Sequence, residues 1–217
     1  MSSERHRTQG PSRSASNRVE DEAILDAARA CVLAVGVRRT TLSEVARRAG
    51  VSRMTLYRRH PDLRGLLAAL MTREFGNLLR GALASARQSR TARERLVIGS
   101  VEAARALGRN PLMRAVLDLD PQLIVPYVME RIGTTQRIAE GFLLDQIVEG
   151  HQDGSIRRGE PRVQTRGLFL VVQSFVLSMR PASSDLDDES LFGELRHLVD
   201  AALCPDQGCA DEPVSDT

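Results

Sequence analysis

The sequence lacks tryptophan and lysine, and aromatic residues make up only 3% of its 217 residues. Its core must therefore consist mainly of Leu, Val, Ile, Ala and Met, and this composition suits helices better than strands, which favour aromatic and β-branched side chains. No apolar run reaches the roughly 18 residues that a membrane-spanning helix needs. No stretch alternates apolar and polar residues as a half-buried strand does. The composition predicts an all-α globular protein.

Cysteine is scarce as well, with Cys31, Cys204 and Cys209 as the three examples. An odd number without metal-type spacing favours free thiols in a reducing compartment, although a Cys204–Cys209 bridge is conceivable. The first 18 residues are polar and rich in Ser and Arg, and they lack the apolar stretch of a secretory signal. We therefore expect a cytoplasmic protein with no metal site.

Sequence motifs of catalysis are also missing. The histidines His6, His60, His151 and His197 have no metal-ligand spacing. No nucleophile elbow, phosphate loop or dinucleotide-binding glycine pattern is present. The sequence therefore predicts a protein that is not an enzyme and needs no cofactor, and it predicts a surface loop at His151-Gln-Asp153.

Charge is unevenly spread along the chain, although its formal net value is only +2. Residues 1–70 carry 13 Arg against 7 acidic residues, whereas the remainder carries 17 Arg against 21. Arginine forms forked hydrogen bonds to phosphates and to guanine edges. A basic front joined to an acidic body indicates that the front meets a polyanion.

The N-terminal third of the sequence reads as a basic arm followed by short helices. Residues 1–17 are expected to be a disordered arm, either solvated or touching DNA phosphates or a minor groove. Apolar residues then recur at helical spacing up to Gly36, which suits a helix C-terminus. They are Ile24, Ala27, Ala28, Cys31 and Val35.

Two short helices follow that first helix. Thr41-Leu42-Ser43-Glu44 is a capping box, in which the Thr hydroxyl accepts from the Glu backbone N–H and the Glu carboxylate reaches back. Gly50 ends this helix, and Ser52 caps the next one, Met54 to Arg59. His60-Pro61 interrupts the pattern because the residue before proline disfavours the helical region. Asp62 can cap a further helix.

The rest of the chain predicts more helices, about nine in total. Prolines near several of the expected starts fit this interpretation, because a missing N–H costs little there. The expected helices are 91–108, 111–118, 121–150, 161–180 and 188–203.

Two short helices joined by a tight turn, the second rich in Arg, Thr and Tyr, form a helix-turn-helix. The second helix of such a motif fits the major groove of B-DNA, and the first crosses the backbone with its N-terminus toward phosphate. Gly50 allows the turn, and Ala46 allows the two helices to approach closely. Arg53, Met54 and Tyr57 share the face opposite Leu56.

Residues 23–67 resemble the TetR family of bacterial repressors. The register includes Ala27-Ala28, Thr41, Val45-Ala46, Ala49-Gly50-Val51-Ser52 and Thr55-Leu56-Tyr57. The family usually has Phe where His60 stands and a phosphate-gripping Lys where Leu63 stands. Arg64 lies next to that position, although one residue turns a helical side chain by about 100°.

The resemblance implies that Thr41 and Tyr57 hold phosphates and that Arg53, Met54 and Thr55 face base edges. Arg58 could reach a base or phosphate, while a solvated charged face is the alternative for Arg58 and Arg59. Core packing is the alternative for Tyr57. The full set of expected DNA-binding residues is Thr40, Thr41, Ser43, Ser52, Arg53, Met54, Thr55, Tyr57, Arg58 and Arg64.

The resemblance also implies a domain organisation. We expect a DNA-binding domain at 18–66, a helical regulatory and dimerisation domain at 67–204 and a flexible tail at 205–217. Apolar stripes on the last two helices predict a four-helix dimer interface, with burial inside one subunit as the alternative. The expected interface residues are Leu168, Val172, Phe175, Val176, Met179, Leu191, Leu195 and Leu198.

A ligand pocket is expected among the helices of 91–150, as in the family. Ordinary core packing is the alternative for each candidate. The candidate lining residues are Met113, Leu117, Tyr127, Phe142 and Gln146. The sequence thus predicts a homodimeric repressor that binds a palindromic double-stranded DNA operator and is released by an unknown small molecule. The alternatives are a partner-controlled regulator and a helical small-molecule binding protein.

Overall fold

A computed structural model describes residues 13–205, which form ten α-helices and one short 3₁₀ turn. The prediction of an all-α fold is confirmed. The helices are α1 (Arg13–Val35), α2 (Leu42–Ala49), α3 (Arg53–Arg59), α4 (Leu63–Ser85), α5 (Ala92–Arg109), α6 (Pro111–Leu119), α7 (Val125–Met129), α8 (Thr134–Gln152), α9 (Pro161–Ala182) and α10 (Asp188–Leu203). Within residues 13–205, none of the helices is long and apolar enough to cross a membrane.

The chain divides into two compact units, and the boundary falls after Leu70, inside α4. The boundary expected from the sequence, between residues 66 and 67, lies a few residues earlier in the same helix. Of the expected tail at 205–217, the structure describes Pro205 alone. Cys209, the second cysteine of the conceivable Cys204–Cys209 bridge, lies outside the described residues.

The first unit is a small helical cluster in which α1 packs on α2 and α2 packs on α3. Its core consists of aliphatic side chains at helical spacing, as the sequence pattern predicts. The side chains that are no more than 1% exposed are Ile24, Ala28, Val32, Val45, Ala46, Leu56, Leu66 and Leu70. Burial of these aliphatic faces is the main stabilisation of the short helices α2 and α3, which have eight and seven residues.

The expected arm at 1–17 extends too far toward the C-terminus, because α1 already begins at Arg13. Residues 1–12 lie outside the described part of the chain. The Arg59 guanidinium of α3 hydrogen-bonds to Asn17 in the first part of α1, so this part of the helix has a tertiary contact. Composition alone does not report such a long-range contact.

In the second unit α5 is the central helix, and it packs against α6, α8, α9 and α10. A continuous core that is mainly aliphatic, with Phe75 and Phe192 added, runs between these helices. Its most buried members include Leu96, Val101, Ile147, Leu195 and Val199, all at most 1% exposed. Branched aliphatic side chains therefore fill most of the core of this unit, as the composition predicts.

The predicted helix over 121–150 is wrong, because the chain breaks between Asp120 and Thr134. A 3₁₀ turn at Pro121–Leu123 and the five-residue α7 occupy this segment. Pro121 and Pro126 lack the N–H that a continuous helix needs. At the start of α8, the Gln136 side chain accepts the Gly133 N–H at 2.8 Å and donates to the Tyr127 carbonyl at 2.9 Å.

The predicted surface loop at His151-Gln-Asp153 is also wrong for His151 and Gln152, which lie in α8, and His151 is buried. Its Nε2 is 2.8 Å from Oε1 of Gln164, which is also buried. Residues after α8 form hydrogen bonds with the start of α5 and the end of α10. Asp153 accepts the Ala92 N–H at the start of α5, and Arg157 donates to the Ala202 carbonyl at the end of α10.

Candidate nucleic-acid interface

The start of α2 is capped by Thr41, whose hydroxyl accepts the Glu44 backbone N–H at 3.2 Å. This half of the predicted capping box is confirmed. The other half is wrong, because the Glu44 carboxylate turns to Arg47 and accepts from its Nε at 2.8 Å and its Nη2 at 2.6 Å. This hydrogen bonding from Arg47 lowers the pKa of Glu44. Thr41 remains exposed at the N-terminus of α2.

The turn between α2 and α3 is a Schellman motif. Gly50 has φ 69°, the left-handed conformation predicted for it. The Gly50 N–H donates to the Arg47 carbonyl at 3.4 Å, and the Val51 N–H donates to the Ala46 carbonyl at 3.1 Å. These bonds satisfy carbonyls at the end of α2 and fix the direction in which the chain enters α3.

Ser52 caps α3 as predicted, since its hydroxyl accepts the Thr55 backbone N–H at 3.0 Å. The Ser52 and Thr55 hydroxyls are also 2.9 Å apart. Both side chains therefore hold the first turn of α3, while Ser52 is exposed and Thr55 half-buried. A hydroxyl in this position can still accept or donate one further hydrogen bond.

The seven-residue α3 presents a buried face and an exposed face. Leu56 is fully buried, whereas Met54 is 78% exposed and Tyr57 44% exposed. Arg53 and Arg58 are exposed too, and within residues 13–205 neither forms an ion pair. The outward face of α3 thus combines two unneutralised cations with an aromatic hydroxyl and a flexible apolar side chain.

The prediction that Thr40 contacts DNA is wrong for its side chain, which is 3% exposed. Its hydroxyl donates to the Gly36 carbonyl at 2.8 Å, so it stabilises the turn between α1 and α2. Ser43, in the first turn of α2, is half-buried. The fully exposed polar side chain at this end is therefore that of Thr41, and Ser43 is accessible in part.

Arg59 behaves differently from its neighbour Arg58. Its side chain is only 14% exposed, and it pairs with both Glu20 and Asp21 of α1. It also donates to the Asn17 carbonyl at 2.9 Å and to the Asn17 side-chain oxygen at 3.1 Å. Sequence reasoning missed this contact, and the signal that could have found it is the acidic run at residues 20–22.

The junction from α3 to α4 contains the two departures from the family pattern. His60 ends α3, and burial lowers its pKa, with Asp21 acting in the opposite direction and Arg59 in the same direction. Asp62 accepts the Gly65 N–H at 2.7 Å and so caps α4, as predicted. Leu63 is half-buried, and Arg64 is exposed beside it.

The candidate pocket residues do not share one environment. Met113 is 6% exposed and belongs to the core of the second unit, and Leu117 packs against that core. The Gln146 side chain accepts from Arg95 at 2.8 Å, so its amide is held in a polar contact between α5 and α8. Tyr127 and Phe142 are half-buried. Core packing, the alternative interpretation, applies to Met113 and Leu117.

Three of the eight predicted dimer residues are buried within the protomer, and the prediction is corrected for these three alone. Leu168, Val176 and Leu195 are buried in the protomer core. Val172, Phe175 and Met179 pack against the same core. Leu191 is half-buried, and Leu198 is 43% exposed. The apolar stripe of α9 thus contributes to the core of its own unit, and a contact of its half-buried residues with a partner stays a prediction.

A second apolar face of α9 is exposed instead. Val163, Leu170 and Val171 are 68%, 53% and 38% exposed. With Leu198 and Ala202 of α10 they form what we call the outer α9–α10 face. Val163, Val171, Leu198 and Ala202 also line a groove of about 380 Å³ between the two helices, and Arg157 and Glu160 stand at it.

The region that contains this candidate interface is similar to a known protein family. Residues 24–70 match the family model described as bacterial regulatory proteins, tetR family. An uncharacterized HTH-type transcriptional regulator of Mycobacterium tuberculosis is 36% identical over 181 residues, covering 83% of this chain and 93% of the relative. The matched segment contains α2, α3 and the turn between them.

Solved structures agree over nearly the whole fold. The transcriptional repressor QsdR of R. erythropolis superposes with a TM-score of 0.63 at 19% identity, covering 86% of this chain and 95% of that one. The regulator FadR of Bacillus subtilis, solved in complex with stearoyl-CoA, gives a TM-score of 0.60 at 19% identity, covering 84% and 98%.

Proposed function

The chain belongs to the TetR family of bacterial regulatory proteins, and from that premise we propose that it is a homodimeric repressor released from its operator by a small molecule. It is an HTH-type transcriptional regulator, which confirms the prediction of a regulator rather than an enzyme. Repression, the operator, the dimer and the effector are the parts that we propose. We also propose that it acts on double-stranded DNA in the cytoplasm.

The outward face of α3 is the observation that carries the DNA proposal. Arg53 and Arg58 are exposed cations without acidic partners among the described residues, and such cations match guanine edges and phosphates. Met54 and Thr55 can contact bases, and the Tyr57 hydroxyl can donate to a phosphate. Thr41 and the free N–H groups at the start of α2 can hold a second phosphate. Ser52, Ser43 and Arg64 complete the proposed interface.

We infer that two copies associate through the outer α9–α10 face. An exposed apolar face of this kind marks a contact with another protein surface. A two-fold axis there would make the same residues meet their symmetry mates, as an isologous interface requires. The dimer would then present two α3 helices to successive major grooves, roughly 34–36 Å apart on a palindrome.

The effector proposal rests on relatives and on composition. FadR of Bacillus subtilis was solved with stearoyl-CoA, a molecule with a long apolar chain. The core of the second unit is mainly aliphatic, and Met113 and Leu117 belong to it or pack against it. Three further residues remain candidates for orienting a ligand: Tyr127, Phe142 and Gln146. We propose an apolar effector that stabilises a dimer whose recognition helices no longer match the operator spacing.

The test is selection of bound duplexes from a random-sequence library, followed by affinity measurements over a range of salt. The proposal expects a palindromic consensus and an association constant whose logarithm falls steeply and linearly with the logarithm of salt concentration. Arg53→Ala should weaken binding and relax the consensus at one position, by about 10- to 100-fold in discrimination. Tyr57→Ala should weaken all sequences equally. Recovery of no consensus and no salt dependence would contradict the proposal.

A further inference from the structure

Arg59 is the last residue of α3 and the most enclosed of the arginines on that helix. Its guanidinium meets four oxygen-bearing groups of α1: the Asn17 carbonyl, the Asn17 side chain and the carboxylates of Glu20 and Asp21. These partners are separated from Arg59 by about 40 positions in the sequence, so the contact is tertiary. All of the groups belong to the first unit.

This environment is the opposite of what a DNA-contacting arginine needs. A guanidinium that binds phosphate must be accessible and must have donors to spare, whereas Arg59 is 14% exposed and its two terminal nitrogens already donate to α1. Its charge is also opposed by two carboxylates. Arg58, one position earlier, is exposed and has no ion pair among the described residues.

We propose that Arg59 is a positioning residue that fixes the orientation of α3 against α1 and thereby sets the sequence specificity of DNA binding. The inference rests on the proposed function and assigns a role to Arg59, Asn17, Glu20 and Asp21 that contact with DNA does not explain. Its basis is the geometry of α3, which has only seven residues and therefore few contacts to hold its axis.

The two ends of α3 are held by different means. At the N-terminal end, Ser52 caps the first turn and the Schellman turn fixes the entry from α2. At the C-terminal end, the helix leaves toward His60 and Pro61, and Arg59 provides the polar attachment to α1. Base readout tolerates errors of only about 0.5 Å and 10–20° in the supporting geometry. Loss of the attachment should therefore affect base contacts more than phosphate contacts.

The test exploits the sign of the charge change. Glu20→Gln and Asp21→Asn each remove a negative charge close to a polyanion. If Arg59 contacted DNA, these variants would bind every duplex equally well or better. If Arg59 positions α3, the double variant should lose about tenfold in affinity for the duplex selected by the wild-type protein. Its affinity for a scrambled duplex of equal composition should stay the same or rise.

A double-mutant cycle gives the second readout. Positioning predicts that Arg59→Ala combined with Asp21→Asn is no worse than Arg59→Ala alone, because both changes break one link. Independent roles predict additive effects of opposite sign. Arg59→Lys should recover part of the discrimination, since an ammonium still reaches a carboxylate but loses the forked geometry. Arg58→Ala is the control: it should reduce affinity for both duplexes and lower the salt slope by about 0.9 per phosphate lost.

Thermal melting separates positioning from general unfolding. Glu20→Gln and Asp21→Asn are conservative in size and sit on partly exposed side chains, so the fraction folded at the assay temperature should not change. Discrimination lost in a fully folded variant supports the proposal. Unchanged discrimination in the folded acid variants overturns it. The duplex preference of the wild-type protein is measured before that of any variant. If the wild-type protein prefers no duplex at all, the proposed function itself fails.

Discussion

The α3 and α9 helices each bury one face in their own unit, and their exposed faces differ in chemistry. On α3 the exposed face has Arg53, Arg58 and the Tyr57 hydroxyl. On α9 the exposed side includes a group of apolar residues, with Val163 68% and Leu170 53% exposed, beside the exposed Arg162 and Arg166. A cationic face attracts a polyanion over distance, whereas an apolar face gains free energy only when another surface covers it.

Under the proposed function, this difference corresponds to different partners for the two units. DNA is the proposed partner of the first unit, and a second copy of the chain and a small molecule are the proposed partners of the second. The difference also explains the errors in the sequence-based assignment of the dimer interface: an apolar stripe on a helix can face the core or a partner, and its residues are the same in both cases.

The largest effect is expected from breaking the outer α9–α10 face. Val171→Glu should convert the dimer to monomers, because it places a charge in an apolar contact. Operator affinity should then fall by about 10²–10⁴-fold, since two linked recognition helices become two separate ones. Sedimentation and operator titration measure the two effects. Val148→Glu is a matched control on α8, since Val148 is 40% exposed and Val171 38%. A Val171→Glu variant that stays dimeric would place the interface elsewhere.

The next largest effect is expected from two leucines of α10, both of which the sequence predicts to lie in the dimer interface. Leu195 is 0% exposed and Leu198 43% exposed. Leu195→Ala should lower the free energy of unfolding by about 3 kcal/mol at every protein concentration, because it leaves a cavity in the protomer core. Leu198→Ala should lower it by less, and by an amount that depends on protein concentration, because that loss falls on association. Denaturant unfolding at several concentrations distinguishes them, and equal concentration-independent losses would remove the distinction.

The smallest effect concerns the pH dependence of the first unit. Burial lowers the pKa of His60, and although Asp21 opposes this and Arg59 adds to it, the net direction is downward. The neutral imidazole is therefore favoured in the folded state. This contribution to stability is complete above the unfolded value of about 6.5 and is lost as the pH falls through that value toward the lower folded pKa.

The variant His60→Phe should abolish this part of the pH dependence while keeping a ring in the half-buried position. The measurement is the thermal midpoint of both proteins between pH 7.5 and pH 5.5, a window of roughly one unit on either side of the unfolded pKa. The wild type should lose more stability than His60→Phe over that range. Parallel curves would show that His60 titrates normally.

Local signals allowed the motif to be predicted from sequence. The Thr41 and Ser52 caps, the left-handed Gly50 and the Asp62 cap all depend on residues within a few positions of one another, so the chain itself carries the information. The exposure of Arg53 and Tyr57 opposite Leu56 followed from helical periodicity for the same reason.

Long-range contacts account for what the sequence did not predict. Arg59 pairs with α1 across about 40 positions, Thr40 turns inward to the Gly36 carbonyl, and His151 meets Gln164 of the next helix. The break between α6 and α8 depended on two prolines whose positions fit either a helix start or an interruption. None of these choices is decided by composition or periodicity alone.

The central claim is that the outward face of α3 lies in the major groove of duplex DNA. Its most direct test is photo-crosslinking with a benzoyl-phenylalanine placed at Met54, which is 78% exposed, on the duplex selected by the wild-type protein. The same group placed at Val148 of the second unit is the control. The account predicts crosslinks from position 54 to bases inside the consensus and none from position 148. A protein that still binds the duplex but crosslinks from neither position, or from position 148 alone, would contradict it.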